Sequence, residues 1–475
     1  MRHKVLIANR GEIALRVMQA CEKLGHEYVC VYTDNDRDSG HAAYAYRSGG
    51  KRSLFRISSY HDANEIFSVA DESGATAIHP GYGYFSEDYR FARRAVRRDR
   101  PLVFIGPAWW LIRDLGDKIN TKRLARSLNV PTIPGSDSPL YDAFEAEQLA
   151  SKIFAFQQSQ GIKTPIVLLK ASAGGGGMGI EEVYSLDHFR KTFRRIRNYA
   201  KRMFHDEGVL VEQLISGFNH IEVQVVGDSA GTEHVHYGTR NCSIQSTGRQ
   251  KRIELAPGFV PEYFDYSFDA DGVLKTVIKH SLRMAAEVGY NSVGTWEWIV
   301  TPAGEPFLLE VNTRIQVESG ISGGISRVPA PLNGTNGNDV DLIAEQIRLA
   351  LGKPMACTQA DIAFEGVCME YRIVAEDPED GFKPQGGNIT NFSWKEHDWL
   401  KFYSHVPVGQ PYSIPTDFDP NLALALIWGA SAEEVKQRGK IFLQEFELEG
   451  LDENGKPLKS NVQYLLKKTD RIWEF

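Results

Sequence analysis

Alternation in residues 307–318, FLLEVNTRIQVE, restricts the fold more than any other stretch of the chain. From Glu310 onward, Glu310, Asn312, Arg314, Gln316 and Glu318 fall on one side of an extended chain, and Val311, Thr313, Ile315 and Val317 on the other. Side chains on a strand alternate faces, so these polar groups all point one way. An ordinary solvent-facing strand has the same pattern, and the neighbouring sequence must decide. Gly294 to Val300 (GTWEWIV) is a second strand with Glu297 between Trp296 and Trp298, and Pro302-Ala303-Gly304-Glu305-Pro306 after it has turn chemistry. A hairpin centred between Ala303 and Gly304 sets Glu297 directly opposite Glu310, roughly 4.5–5.5 Å apart at Cβ. Two carboxylates that close repel unless a proton or a cation sits between them. Asn312 adds a neutral oxygen two residues on. Three hard oxygen ligands suit Mg²⁺ or Mn²⁺, which keeps waters and takes further ligands from phosphates, so the hairpin implies a metal–nucleotide site. An unbroken strand would carry Glu318 roughly 26 Å beyond Glu310, too far for one small site, so a bend is expected after Asn312.

The remaining chain supplies the setting. With 475 residues there is room for two to four domains, and 42% hydrophobic and 24% charged residues are ordinary globular values. A net charge of −7 argues against nucleic acid as the main partner. The cluster Arg93, Arg94, Arg97, Arg98 and Arg100 reads as the solvated face of a helix. Five cysteines without C-x-x-C spacing fit reduced thiols in a cytoplasmic enzyme, and no apolar run is long enough to span a membrane.

Lys4 to Ala8 reads as a short buried strand, followed by an Asn-Arg-Gly turn, a helix carrying Ile13, Val17, Cys21 and Leu24, and a second strand at Tyr28–Tyr32. This order begins a parallel α/β domain, and the absence of G-x-G-x-x-G argues against a dinucleotide site. TAIHPGYGYFSED (76–88) is plain turn chemistry or a functional loop with exposed Tyr82, Tyr84 and Glu87. Asp117-Lys118 opens a helix running to Leu128, and another amphipathic helix is expected within 136–160. Ile166–Leu169 is a strand ending in Lys170, then comes ASAGGGGMG (171–179), then a further strand at Glu181–Tyr184. Four consecutive glycines cost backbone entropy but let N–H groups cradle phosphate oxygens, so the hairpin reads as a flap over a nucleotide, with a flexible linker as the alternative. No G-K-[ST] follows, so it is not a Walker A loop. Val209–Ile215 is a strand leading out of this small unit. His220, Glu222 and Gln224 share one face of the next alternating run, 239–256 reads as a polar loop, and Leu274–Val288 as a helix. Residues 319–339 read as a long Gly/Pro/Asn-rich loop, Glu365–Ala375 as a strand with Glu370 and Arg372, and 376–475 as short strands and two helices.

Taken together, IANRGEIALRV (7–17), AIHPGYGYFSE (77–87), GDK (116–118), VPTIPGSD (130–137), KASAGGGGMG (170–179), HIEVQV (220–225), GTWEW (294–298), EVNTRIQVE (310–318) and RIVAEDP (372–378) resemble the biotin carboxylase family of the ATP-grasp superfamily, over almost the whole chain. The resemblance implies an α/β and α+β multidomain ATP-grasp fold. Its parts would be an N-terminal Rossmann-like α/β domain (1–115), a connecting helix and glycine-loop lid (116–215), a catalytic core (216–360) and a C-terminal mixed domain (361–475). It also implies roles. Lys118 and Lys170 would hold ATP phosphates, with Gly174, Gly175, Gly176 and Gly177 closing over them. Glu212 and Leu214 would meet adenine, with His220 and Gln245 near the ribose and phosphates. Glu297 and Glu310 would ligate Mg²⁺ (or Mn²⁺), supported by Asn312. Lys251, Arg314, Gln316 and Val317 would bind bicarbonate, Glu318 would be the general base, and Arg372 would steady carboxyphosphate and the biotin ring.

Departures from the family pattern are Arg249 before Gln250-Lys251, an extra residue in the 246–248 loop, Ser319-Gly320 in place of His-Pro after Glu318, and Phe418-Asp419-Pro420-Asn421-Leu422 without the late lysine. They leave the ATP and bicarbonate positions intact and bear on dimer contacts and carrier docking. None of the seven methionines neighbours a lysine, so biotin is expected on a separate carrier protein, with carboxyltransferase subunits and a homodimer or larger complex as partners and an acyl-CoA as acceptor. The alternatives are another ATP-grasp carboxylate–amine ligase and a degenerate nucleotide-binding scaffold.

Overall fold

The computed structural model describes residues 2–172, 179–246, 250–329 and 340–474. Its chain divides into two compact units: Met1–Gly116 with Asn219–Trp298 and Glu310–Phe475, and Asp117–Phe218 with Ile299–Leu309.

The first unit begins with a five-stranded sheet ordered Leu54–Arg56, Glu27–Tyr32, Lys4–Ile7, Ala77–His79, Val103–Phe104, with every pairing parallel. Lys4–Ile7 is central and buried on both faces: Val5 and Ile7 join one apolar cluster and Leu6 another, as expected of a strand covered on both sides. Asn9, just past this strand, donates through Nδ2 to the Pro80 and Tyr82 carbonyls at 2.6 and 2.8 Å, tying the Asn-Arg-Gly turn to the HPGYGY turn. Tyr82 and Tyr84 are half-buried rather than exposed, because Tyr82 donates its hydroxyl to Glu12 and Tyr84 packs its ring on Tyr60 and His61. The arginines of helix Tyr89–Arg97 face solvent around buried Phe91, Ala92 and Ala95.

An eight-stranded sheet is ordered Pro306–Asn312, Val293–Val300, Asn219–Gly227, His234–Gln245, Lys251–Ala256, Val367–Val374, Asn421–Gly429, Leu400–Ser404. Strands from 216–360 and from 361–475 thus share one sheet. Two sequence expectations change here. Residues 239–245 and 251–256 are strand rather than loop, within His234–Gln245 and Lys251–Ala256, and Arg240, Asn241 and Lys251 among them find polar partners inside the structure; 247–249 lie outside the described residues. The stretch 319–339 opens as the helix Ser319–Ile325 and the short strand Ser326–Arg327, and 330–339 lie outside the described residues. The helix is legible only from its surroundings. Its glycines are poor helix formers, but Cβ atoms at Gly320 and Gly323 would lie 2.3 Å from Leu426 and 2.1 Å from the Val340 carbonyl.

The second unit is a three-stranded antiparallel sheet ordered Ile180–Val183, Val167–Ala171, Val209–Gln213. Helices Ala143–Ser159 and Phe189–Phe204 pack on it through Ile153, Phe154, Phe189, Phe193 and Ile196. Val167 pairs with Val183 and Lys170 with Ile180, which is the expected strand–loop–strand hairpin, and Asp117 caps helix Lys118–Ser127 at two backbone N–H groups. Gly174, Gly175, Gly176 and Gly177 lie outside the described residues. No helix among the described residues is long and apolar enough to cross a membrane.

Candidate active site

Strand Pro306–Asn312 ends at Asn312, and by Ser319 the chain has entered a helix, so the expected bend is present. Its consequence is that Glu318 returns to the side chains of the sheet instead of running away from them. Lys251 Nζ lies 2.7 Å from Glu318 Oε1 and 3.3 Å from Glu297 Oε1, and is ion-paired to Glu222 as well. Three acids from three separate elements therefore converge on one ammonium at the start of strand Lys251–Ala256. Burial alone would lower the lysine's pKa, but these three acids outweigh it and hold it well above the ordinary value. Burial likewise pushes the carboxyls of Glu222, Glu297 and Glu318 up, and the surrounding cations, Lys251 first, bring all three below the ordinary range.

The hairpin turn lies half a residue from its expected centre. Gly304 N–H donates to the Thr301 carbonyl at 2.9 Å and Thr301 N–H to the Glu305 carbonyl at 3.0 Å, with Gly304 at φ +82°. The turn is thus centred on Ala303, half a residue from the expected centre, while Asn312, which shares a strand face with Glu310, reaches Glu297. The residues brought to Glu297 are Asn312 and Gln316, whose Nδ2 and Nε2 donate to Oε1 at 2.7 and 3.0 Å. On the other carboxylate oxygen sits His220 Nε2 at 3.0 Å. Burial lowers the His220 pKa and Glu297 raises it by more, so the net shift is upward. Among the described residues, two His/Cys/Asp/Glu groups have ligand atoms within 4.8 Å of one another: His220, Glu222 and Glu297, and Glu222, Cys242 and Glu318. Gln245 Nε2 donates to the Cys242 carbonyl at 2.8 Å and lies 3.4 Å from His220 Nδ1.

Glu318 has a second cation. Arg372 Nη2 is 2.9 Å from its Oε2 and 2.5 Å from Glu254 Oε1. Arg314 turns the other way, toward Glu87 (Nε–Oε2 3.0 Å), and donates from Nη2 to Asn312 Oδ1 at 3.1 Å. The Val317 carbonyl accepts from Arg16 Nη1 at 3.2 Å, and Arg16 Nη2 reaches Ser319 Oγ at 3.3 Å. The turn carrying Glu318 is thereby anchored to helix Gly11–Lys23.

In the second unit, Lys170 Nζ pairs with Glu212 Oε2 at 2.6 Å and Lys122 Nζ with Oε1 at 3.3 Å, while the Leu214 N–H donates to Ile166. Lys118 opens its helix. Lys122 was missed, although its i,i+4 spacing from Lys118 puts both on one helix face. Arg240 was missed too. It is wholly buried and donates to Glu222, Gln224, Thr295 and Ser322 at 2.6–3.0 Å. The signal was available, since Glu222 and Gln224 lie on one face of a strand with no counter-charge of their own. Chemically, the first unit presents a buried, ionised carboxylate gripped by two cations, which can take a proton from an acidic anion held beside it.

Three family models cover the chain: the biotin carboxylase N-terminal domain over residues 1–112, the carbamoyl-phosphate synthase L chain ATP-binding domain over 117–358, and the biotin carboxylase C-terminal domain over 370–465. The chain is 36% identical to the 2-oxoglutarate carboxylase small subunit of Hydrogenobacter thermophilus over 95% of its own length and 88% of that protein's. It is 33% identical to the biotin carboxylase of Pseudomonas aeruginosa, over 98% and 99%. Its fold matches the biotin carboxylase domain dimer of the Hydrogenobacter 2-oxoglutarate carboxylase, solved with MgADP, ADP and bicarbonate, at TM-score 0.84 and 33% identity over 100% of this chain and 95% of that one. The Campylobacter jejuni biotin carboxylase, solved as a β-γ-ATP complex, matches at TM-score 0.83 and 29% identity over 99% and 95%. With a carboxylate-centred site on an ATP-grasp fold and family models matching along most of its length, the chain belongs to the biotin carboxylase family.

Proposed function

We infer that this chain is the biotin carboxylase subunit of a biotin-dependent carboxylase, using ATP and bicarbonate to carboxylate N1′ of biotin through carboxyphosphate. The observation that carries the reading is Glu318: fully buried, ionised, and held between Lys251 (2.7 Å) and Arg372 (2.9 Å). A scaffold protein has no use for such a costly arrangement, whereas a bicarbonate-activating enzyme needs a base among cations that also attract the anion.

In this assignment Lys251, Arg314, Gln316 and the Val317 backbone bind bicarbonate, and Glu318 removes its proton. The resulting carbonate oxygen attacks the γ-phosphorus of ATP, and the bond to the ADP oxygen breaks. Lys118, Lys170 and the 174–177 glycines are assigned to the phosphates, Glu212 and Leu214 to adenine, and His220 and Gln245 to the ribose and phosphates. The positive groups act by position and charge, as phosphoryl transfer requires. Glu297 and Glu310, supported by Asn312, are assigned to a hard divalent ion because carboxylate and amide oxygens suit one; Asn312 faces Glu297 through its amide nitrogen at 2.7 Å, so its oxygen would have to turn to join them. Bound there, Mg²⁺ (or Mn²⁺) would supply charge to offset that of the phosphates. Carboxyphosphate then splits to CO₂ and phosphate, the phosphate takes the N1′ proton of biotin, Arg314 steadies the enolate, and Arg372 holds the ring edge.

The segments 1–115, 116–215, 216–360 and 361–475 serve in this proposal as N-terminal domain, lid, core and C-terminal domain. Its partners are a biotin carboxyl carrier protein and carboxyltransferase subunits, in a homodimeric or larger cytoplasmic complex. Glu318→Gln tests it. Bicarbonate-dependent, biotin-stimulated ADP release should fall at least about 100-fold. Full activity in this variant refutes the base assignment, and amine-dependent ADP release without bicarbonate would point to a carboxylate–amine ligase.

A further inference from the structure

Beneath Arg372 lies a pair of acids with no part in that scheme. Glu254 on strand Lys251–Ala256 is registered directly against Glu370 on strand Val367–Val374, and both are fully buried. Like charges opposed across two strands are destabilising, and burial multiplies the penalty. Apart from the Arg372–Glu254 ion pair at 2.5 Å, the carboxyl oxygens of both residues have no hydrogen-bond partner among the described residues.

The charged neighbours do not supply a second cation. Arg372 is already shared between Glu254 and Glu318. Lys251 is engaged by Glu222, Glu297 and Glu318. Arg16 lies 3.5 Å from Glu12, spends its N–H groups on Val317 and Ser319, and stacks over Tyr403. Tyr82 donates to Glu12, Cys242 is a buried thiol, helix Ser319–Ile325 carries no ionisable side chain, and Glu370 faces Leu426 on its other neighbouring strand. Arg240, the other buried cation nearby, is bound to Glu222, and no cation is paired with Glu370 among the described residues.

We propose that Glu254 and Glu370 share a single proton as a carboxylate–carboxylic acid pair, and that this pair positions the guanidinium of Arg372 against Glu318. The inference rests on the biotin carboxylase reading. Glu370 holds the proton, because burial first and then the Glu254 charge push its carboxyl well above the ordinary range. Glu254 is raised to about 7 by burial against the pull of Arg372, so it carries the charge above neutrality and loses it below. When Glu254 is ionised it fixes one edge of Arg372, leaving the same Nη2 aimed at Glu318. When it is neutral, Arg372 keeps Glu318 as its only hydrogen-bonded carboxylate, which competes with the role of Glu318 as base.

The test compares wild type, Glu370→Gln and Glu254→Gln in biotin-stimulated, bicarbonate-dependent ATP cleavage between pH about 6 and about 9. Glu370→Gln gives Glu254 a permanent N–H donor, so the acidic limb of kcat/KM for bicarbonate should move down by at least about half a pH unit. Glu254→Gln should lower kcat at least about tenfold and remove that limb. Wild type should also show the infrared carbonyl stretch of a buried protonated carboxyl group above neutral pH, lost in Glu370→Gln. Superimposable pH profiles for wild type and Glu370→Gln overturn the proposal. So does the absence of the band from wild type, a measurement that needs no variant to fold. A wild-type enzyme without bicarbonate dependence would refute the functional reading instead, while the band would still report on the pair.

Discussion

Replacing Lys251 with methionine keeps the side chain's length and removes the one cation that three buried carboxylates share. Taking one partner from a buried ion pair typically costs about 3–5 kcal/mol, because the remaining charge is left without compensation. A ceiling applies, since one of Glu222, Glu297 and Glu318 can take up a proton instead. Holding a proton on a carboxyl of ordinary pKa near 4.3 costs about 4 kcal/mol at pH about 7.5, at about 1.4 kcal/mol per unit. The two routes agree, so Lys251→Met should lose about 4 kcal/mol at that pH. The sign of the pH dependence follows. In wild type all three acids lie below the ordinary range, and the stability they contribute is lost only as pH falls through their folded values. In the variant one acid lies above that range, so its contribution is full in acid and disappears as pH rises. The deficit relative to wild type should therefore grow by about 1.4 kcal/mol per pH unit upward from about pH 4.3, until the raised pKa is passed. Denaturant unfolding at a series of pH values measures it, read by the fluorescence of Trp296 and Trp298, which flank Glu297 and are fully buried. In a chain with two units the quantity to compare is the shift of this transition between variants, not an absolute free energy. A deficit below about 1 kcal/mol, or one that does not change with pH, would refute the claim that Lys251 neutralises the cluster.

Two further outcomes follow from the N-terminal domain. Asp36 accepts both Arg10 N–H groups at 2.8 Å and the Tyr60 hydroxyl at 2.7 Å, and despite burial these partners and His41 lower its pKa to about 2. Its contribution is present above the unfolded value of about 3.9 and disappears between about pH 4 and about pH 2, so Asp36→Asn should cost about 3–5 kcal/mol near neutrality, narrowing over that acid window in a pH series of thermal melts. Gly11 opens its helix at φ +68°, and Gly11→Ala should cost about 1–2 kcal/mol, seen as a lower melting temperature; an unchanged melt would show that the turn can rearrange.

What could be read from sequence depended on how local the cause was. The strand of Glu310 and Asn312, the bend that returns Glu318, the antiparallel pairing of Val167–Ala171 with Ile180–Val183 and the helix after Asp117 each follow from spacing within a dozen residues or from a chain-length constraint, and they are present. The turn centre at Gly304 differed because a single positive-φ residue shifts a hairpin turn by half a step, and composition does not reveal which turn a glycine adopts. The strands at 239–256 failed for a different reason. Their polar residues look solvated until Arg240 and Glu222 are seen to satisfy each other across adjacent strands, 18 positions apart in sequence. Glu254 and Glu370 mark the far limit. They are more than a hundred residues apart, and neither has a local signature, yet the sheet sets them face to face under the arginine that holds Glu318. A sheet can stabilise an ionised carboxylate in its interior by collecting cations around it, and those cations in turn draw in acids. The charge of Glu318 is thus set jointly by Lys251, Arg372 and the acids behind them, and changing any of these groups alters that carboxylate without touching it.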